Sequence, residues 1–201
     1  NILFRDGMMT SLVKDTGLDL QAYKPAVVFI NGEYWGILNI REKVNEHFLA
    51  DNNVGVDPDE LDLLELAHDP EPVIIEGDNQ DYLDMIDFIA NNSLADEENY
   101  QIVEEQMDID NFIDYNLLEI YFGNHDWPGA NVKFWRPHTD NGRWRWILFD
   151  IDMGFGLSRD VGFNTLLHAL NDDNNPDSPL WATLLLRRLM ENEQFQNRFI
   201  N

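Results

Sequence analysis

The chain contains no cysteine, so disulfides, thiolate metal sites and cysteine nucleophiles are excluded. Basic residues are scarce: 13 Lys and Arg stand against 38 Asp and Glu, for a formal net charge of −25. Such a surface repels nucleic acid and anionic membrane, which argues against either as a partner. Solubility is the plain consequence of that charge. No apolar run approaches the ~20 residues needed to cross a bilayer, so no membrane span is expected. The five histidines show no zinc-type spacing. Repeats, low-complexity tracts and interdomain linkers are absent too. What remains is 201 residues with 44% hydrophobic content, enough for one globular domain over 1–201 that buries its own core. The chain opens at Asn1 without a Met and closes on Phe195, Phe199 and Ile200 at helical spacing without a stop signal. A segment trimmed at both ends is therefore expected, and a trimmed segment would show no signal peptide.

Periodicity predicts a mixture of hairpins and helices. Residues 4–16 read as a helix with Met8, Met9, Leu12 and Val13 as its apolar stripe and Gly17 as its stop. Residues 25–30 and 33–41 read as strands around Asn31-Gly32, the strongest short hairpin signal. Tyr34, Leu38 and Ile40 share a face with Glu42, which places the acid at the end of a stripe expected to be buried. Arg41 and Lys43 read as surface charges. A short helix is expected over 44–50, and extended segments over 61–66 and 72–76. Residues 80–91 form an amphipathic pattern with Tyr82, Met85, Ile86 and Ile89 inward. Another short helix follows over 100–106. A longer helix begins near Asp110, with Phe112, Ile113, Leu117, Ile120 and Tyr121 on one side and Gly123 at its end. Residues 157–170 resist assignment. Residues 171–178 are an Asn/Asp-rich loop lacking the Gly and terminal Glu of a calcium hand. Residues 180–190 read as a helix with Leu184, Leu185 and Leu189 in the core. The fold class expected is α+β.

The organising stretch runs from Gly123 to Gly156. Asp126 lies in a short loop with Pro128 and Gly129, and Asn131 follows five residues after it. A strand over 132–136, a turn at Asp140-Asn141-Gly142 and an aromatic-rich return strand over 143–149 form a hairpin. An antiparallel return brings Asp150 and Asp152 beside Asn131 and Asp126, and period two would put both returning acids on one face. Three carboxylates and an amide oxygen then converge, a donor set suited to Mg²⁺ or Mn²⁺. Phosphoryl-transferring kinases use the same order: a catalytic Asp, a metal-binding Asn five residues on, a hairpin, and a metal-binding Asp before Gly. Asp152-Met153-Gly154 stands in the last position. The His-Arg-Asp tripeptide and the Gly-rich phosphate loop of common kinases are missing.

Two segments, NHDWPGANVKFWRP…GRWRWILFDIDMGFG and YKPAVVFINGEYWGILNIREKVNEHFL, closely resemble the CotH family of atypical spore-coat kinases and their bacterial relatives. The resemblance implies an atypical kinase-like fold of β-hairpins with a mainly helical lobe. It implies ATP with Mg²⁺ or Mn²⁺, and Ser or Thr of a protein substrate, basic or rich in Ser and Lys, as acceptor. Asp126 would be the catalytic base. Asn131 and Asp152 would hold the metal on the phosphates, and Asp150 would be a further ligand. Glu42 would face the nucleotide or pair with a lysine. An extracytoplasmic, cell-surface or spore-coat location follows from the resemblance alone, as does a nucleotide-contacting lysine on earlier strands not in this sequence.

Other readings stay open at this point. Asp126 can be a turn-forming residue before Trp-Pro. His125 can be a base or a structural neighbour, and Lys133 and Arg136 can neutralise phosphate or form salt bridges. The tryptophans, four of them between Trp127 and Trp146, are core or a sugar platform. A non-catalytic kinase-like binding module competes with the kinase. A glycosidase using Asp126 and Asp150 competes less well, because the acid–amide–hairpin–acid order suits nucleotide and metal.

Overall fold

A computed structural model describes residues 4–157, 159–173, 175 and 178–201. The first three residues, position 158, and positions 174, 176 and 177 of the Asn/Asp-rich stretch lie outside them. The elements run α1 (Arg5–Leu12), β1 (Asp19–Leu20), β2 (Tyr23–Ile30), β3 (Glu33–Arg41), α2 (Glu46–Asn52), β4 (Leu61–Leu66) and β5 (Val73–Glu76). They continue α3 (Gln80–Asn91), α4 (Glu97–Gln106), α5 (Ile109–Phe122), β6 (Val132–Pro137), β7 (Arg145–Leu148), α6 (Thr165–Ala169), α7 (Leu180–Leu189) and α8 (Glu193–Ile200). This is the α+β fold expected.

The frame is a five-stranded sheet in the order β1-β7-β6-β4-β5, with β1 parallel to β7 and the other pairs antiparallel. Period two divides its side chains between two layers. Leu64, Val132, Phe134, Trp146 and Leu148 pack with Tyr82, Met85 and Ile89 of α3, Phe112 of α5, Leu185 and Leu189 of α7, and Phe195 of α8. Leu61, Leu63, Trp135 and Ile147 point the other way, onto Phe48 and Leu49 of α2. Burial of each such side chain contributes roughly 1.5–3 kcal/mol, so both faces hold the sheet. The Trp135 indole donates to Asp19 Oδ2 at 2.9 Å, which ties the β1 edge to the smaller layer.

The β6–β7 hairpin forms as expected, but its turn works differently. Neither Asn141 nor Gly142 takes a positive φ. Gly142 is required by space, since a Cβ there would lie 2.0 Å from the Pro137 carbonyl oxygen. The Asn31-Gly32 turn does use the left-handed region, with φ of 52° and 85°.

Three expected faces are corrected. Tyr34, Leu38 and Ile40 are exposed, because β2 and β3 form a sheet of their own that does not join the five-stranded one. On α1, Met8 and Leu12 are exposed while Asp6, Gly7, Met9 and Thr10 are buried, and the helix stops before Gly17. Met9 still joins the main core, while Asp6 turns inward because its carboxylate accepts from the Ile151 amide of the acid-bearing loop. On α5, Leu117 and Tyr121 are exposed, and the inward side is Phe112, Tyr115, Asn116, Glu119 and Phe122.

Candidate active site

Helix α5 delivers the chain into the Asp126 loop. Asp108 caps its start, accepting from the Asn111 amide at 3.1 Å, and Gly123 ends it at a φ of 64°. The Asn124 side chain turns inward and donates to Glu119 Oε2 at 2.8 Å. Trp127 and Pro128 are buried beneath the loop, whose backbone is held from several sides. His168 Nε2 lies 3.0 Å from the Trp127 carbonyl, the His68 amide donates to Gly129 at 2.9 Å, and the Ala130 amide donates to Asp126 at 3.0 Å. None of these bonds uses the Asp126 carboxylate, which is left accessible; its near side-chain neighbour is His125, with Nδ1 3.7 Å away.

Asn131 opens β6 at a φ of 57°, and Asp150 follows β7 at a φ of 52°. Asn and Asp enter the left-handed region more readily than other non-glycine residues, so both turns at the open end of the hairpin suit the residues that carry the donors. The strand ends at Leu148, so period two does not orient Asp150 and Asp152 as expected. A turn does, with Gly154 donating to the Ile151 carbonyl at 3.0 Å. Burial raises the proton affinity of Asp150 above the usual carboxylate range. The charge of Asp152 adds to this, Arg41 opposes it, Asp126 adds again, and Lys133 opposes. The charges of Asp152 and Asp126 thus both reach Asp150 at this end of the hairpin.

The loop bearing Asp150 and Asp152 is anchored to α1 and α5. The Ile151 amide donates to Asp6 Oδ1 at 3.0 Å, Arg5 Nη1 donates to the Gly154 carbonyl at 2.8 Å, and the Phe155 amide donates to the Phe122 carbonyl at 2.6 Å. Gly154 is needed for this approach: a Cβ would lie 2.7 Å from the Phe122 carbonyl and 2.8 Å from Met9 Cε. Gly154→Ala should therefore displace the acids. Expected is a loss of about 1–3 kcal/mol in urea unfolding, as for other overpacking changes, together with weakened Mn²⁺ binding by isothermal titration.

Arg41 is the residue that the sequence missed. Expected at the surface, it pairs with the buried Asp6 and acts on Asp150. Glu42 is exposed, and its carboxylate accepts from the Ala22 amide at 2.7 Å. It lines a hollow of about 500 Å³ with Thr10, Ser11, Lys14 and Tyr23. Lys133 lies 3.6 Å from Glu65 and over the Phe149 ring, while Arg136 pairs with Asp62 and Asp81. Trp127, Trp135, Trp144 and Trp146 are buried and offer no sugar platform.

The donor chemistry at the hairpin end fits a divalent cation. Asn131, Asp150 and Asp152 offer hard oxygen ligands, and a cation would offset both the burial and the neighbouring acid charges that raise the Asp150 proton affinity. Among the described residues, no three His, Asp or Glu side chains form a ready-made metal cage. One or two carboxylates completed by water and substrate phosphate are the usual arrangement for Mg²⁺.

An accessible acid on a pinned loop, a hairpin and a following acid pair before glycine keep the order expected of a kinase-like domain. The chain belongs to the CotH family: the model described as "CotH kinase protein" matches residues 1–201. No curated protein matches it.

Proposed function

We propose that the protein transfers the γ-phosphoryl group of ATP to a Ser or Thr hydroxyl of a protein, with Mg²⁺ or Mn²⁺. The observation that carries this reading is the placement of the β6–β7 hairpin, which sets Asp150 within reach of the charges of Asp152 and Asp126. Asp126 orients the acceptor hydroxyl and takes its proton. Asn131, Asp150 and Asp152 would hold the metal, which when bound neutralises charge on the phosphates. The hollow beside Glu42 is large enough to take the nucleoside end. Catalysis is then positioning and charge compensation, with no covalent enzyme intermediate. A net charge of −25 favours a basic acceptor protein. On grounds of resemblance, we place the protein outside the cytoplasm, at a cell surface or spore coat.

A second reading, a module that binds nucleotide without transfer, shares the same nucleotide and metal requirement. Thermal melting with Mn²⁺–ATP tests the shared requirement. The wild-type protein is expected to melt higher by several degrees through mass action, and Asp152→Ala to show no rise. A rise in both proteins would remove Asp152 from the site. A rise in the wild type without transfer of label to any acceptor would support the binding module.

A further inference from the structure

Two features outside the assigned machinery, the end of β3 and the buried side of α1, meet the loop bearing Asp150 and Asp152. Arg41 is the last residue of β3 and its side chain is 29% exposed, whereas its partner Asp6 on α1 is 6% exposed. Asp6 uses one carboxylate oxygen for Arg41 and the other for the Ile151 amide, at 3.0 Å. Ile151 stands between Asp150 and Asp152. One buried carboxylate thus fixes a guanidinium beside the acid pair.

Two neighbouring cations, Lys133 and Arg5, are already committed. Lys133 is engaged with Glu65 and the Phe149 ring, and Arg5 donates to the carbonyls of Gly154 and Phe155. Arg41 is committed to Asp6 through Nη2, but its side chain stays partly exposed, so the fork is not spent on that one partner. A guanidinium has five N–H donors in a rigid fork, so one edge can hold a carboxylate while another holds phosphate. An anionic nucleotide approaching a chain with a net charge of −25 also needs a local cation besides its metal.

We propose that Arg41, positioned by Asp6, is the side chain that contacts the nucleotide phosphates in this protein. This rests on the kinase reading above. Asp6 is then a positioning residue that sets the guanidinium and the acid pair in register through a single carboxylate. The bare hairpin β2–β3 gains a purpose as well, since its foot carries the phosphate contact into the site.

Calorimetric titration of Mn²⁺ alone and of Mn²⁺–ATP, on wild type and Arg41→Gln, tests the proposal. Loss of the cation should leave the affinity for Mn²⁺ alone equal or tighter and weaken Mn²⁺–ATP at least tenfold. A merely structural tie would weaken both together, and that result overturns the proposal. So does an Arg41→Gln protein that binds Mn²⁺–ATP as the wild type does. Should Arg41→Gln fail to fold, Arg41→Lys keeps the pairing with Asp6 and loses the fork. It is then expected to weaken Mn²⁺–ATP several-fold with Mn²⁺ unchanged, and wild-type affinity for Mn²⁺–ATP overturns the assignment. If the wild-type protein binds neither Mn²⁺–ATP nor Mn²⁺–tripolyphosphate, the kinase reading itself falls and the Arg41 role falls with it.

Discussion

Asp126→Asn is expected to reduce phosphoryl transfer by roughly 10²–10⁴-fold, the usual worth of a positioned general base, while Mn²⁺–ATP binding stays equal or tightens. The two halves of that outcome have separate causes. The loop around Asp126 is held through the backbone at Trp127, Gly129 and Ala130, and through the Asn124 side chain, so an isosteric amide leaves its shape intact. The carboxylate itself raises the proton affinity of Asp150, so removing its charge eases ionisation of a proposed metal ligand. Transfer from γ-labelled ATP to a basic Ser-containing acceptor measures the first half, and calorimetry the second. Full activity in the variant would show Asp126 to be a turn residue only. Loss of nucleotide binding along with activity would make it a metal ligand instead.

The parts of this site that could be read in advance are those set by local sequence. Gly123 as a helix stop, the Asn31-Gly32 turn and the β6–β7 pairing follow from φ preference and period two, and all are present. The antiparallel return alone brings Asp150 towards Asp126. The missed features depend on which element covers which. Asp6 and Arg41 are far apart in the chain, and no periodicity shows that α1 packs its polar side on the loop of acids. Tyr34, Leu38 and Ile40 alternate as a buried stripe would, yet all three are exposed, since α1 reaches only the foot of their hairpin. Alternation does not extend to Asp150 and Asp152, because the strand ends at Leu148 and Asp150 takes the left-handed conformation. Glu119 did carry a signal. It falls in helical register with Phe112, Tyr115 and Phe122, on the side of α5 that turns inward.

Glu119→Gln is expected to stabilise the protein at neutral and alkaline pH, by about 3 kcal/mol near pH 7 relative to acid conditions. Glu119 is fully buried, and burial pushes its carboxyl up to about 8 from an ordinary 4.5. The Asn124 hydrogen bond and the Tyr115 hydroxyl oppose the rise, and the Asp150 charge adds to it. Between pH 4.5 and 8 the folded protein therefore holds a proton that the unfolded chain has lost. Stability from this group is full below the unfolded value, falls as pH rises through that window, and levels off above it. Glutamine does not titrate. Its carbonyl still accepts from Asn124, and its amide supplies the donor that a protonated Glu119 would. Urea unfolding of both proteins from pH 4 to 9 isolates the effect, because the remaining acids contribute alike to each and cancel in the difference. The two curves should separate progressively up to about pH 8 and then run parallel. Curves parallel throughout would mean that Glu119 ionises as an ordinary surface acid does. A growing gap would mean instead that the catalytic loop rests on a neutral carboxyl, which keeps a further negative charge away from Asp150 while the protein is at work.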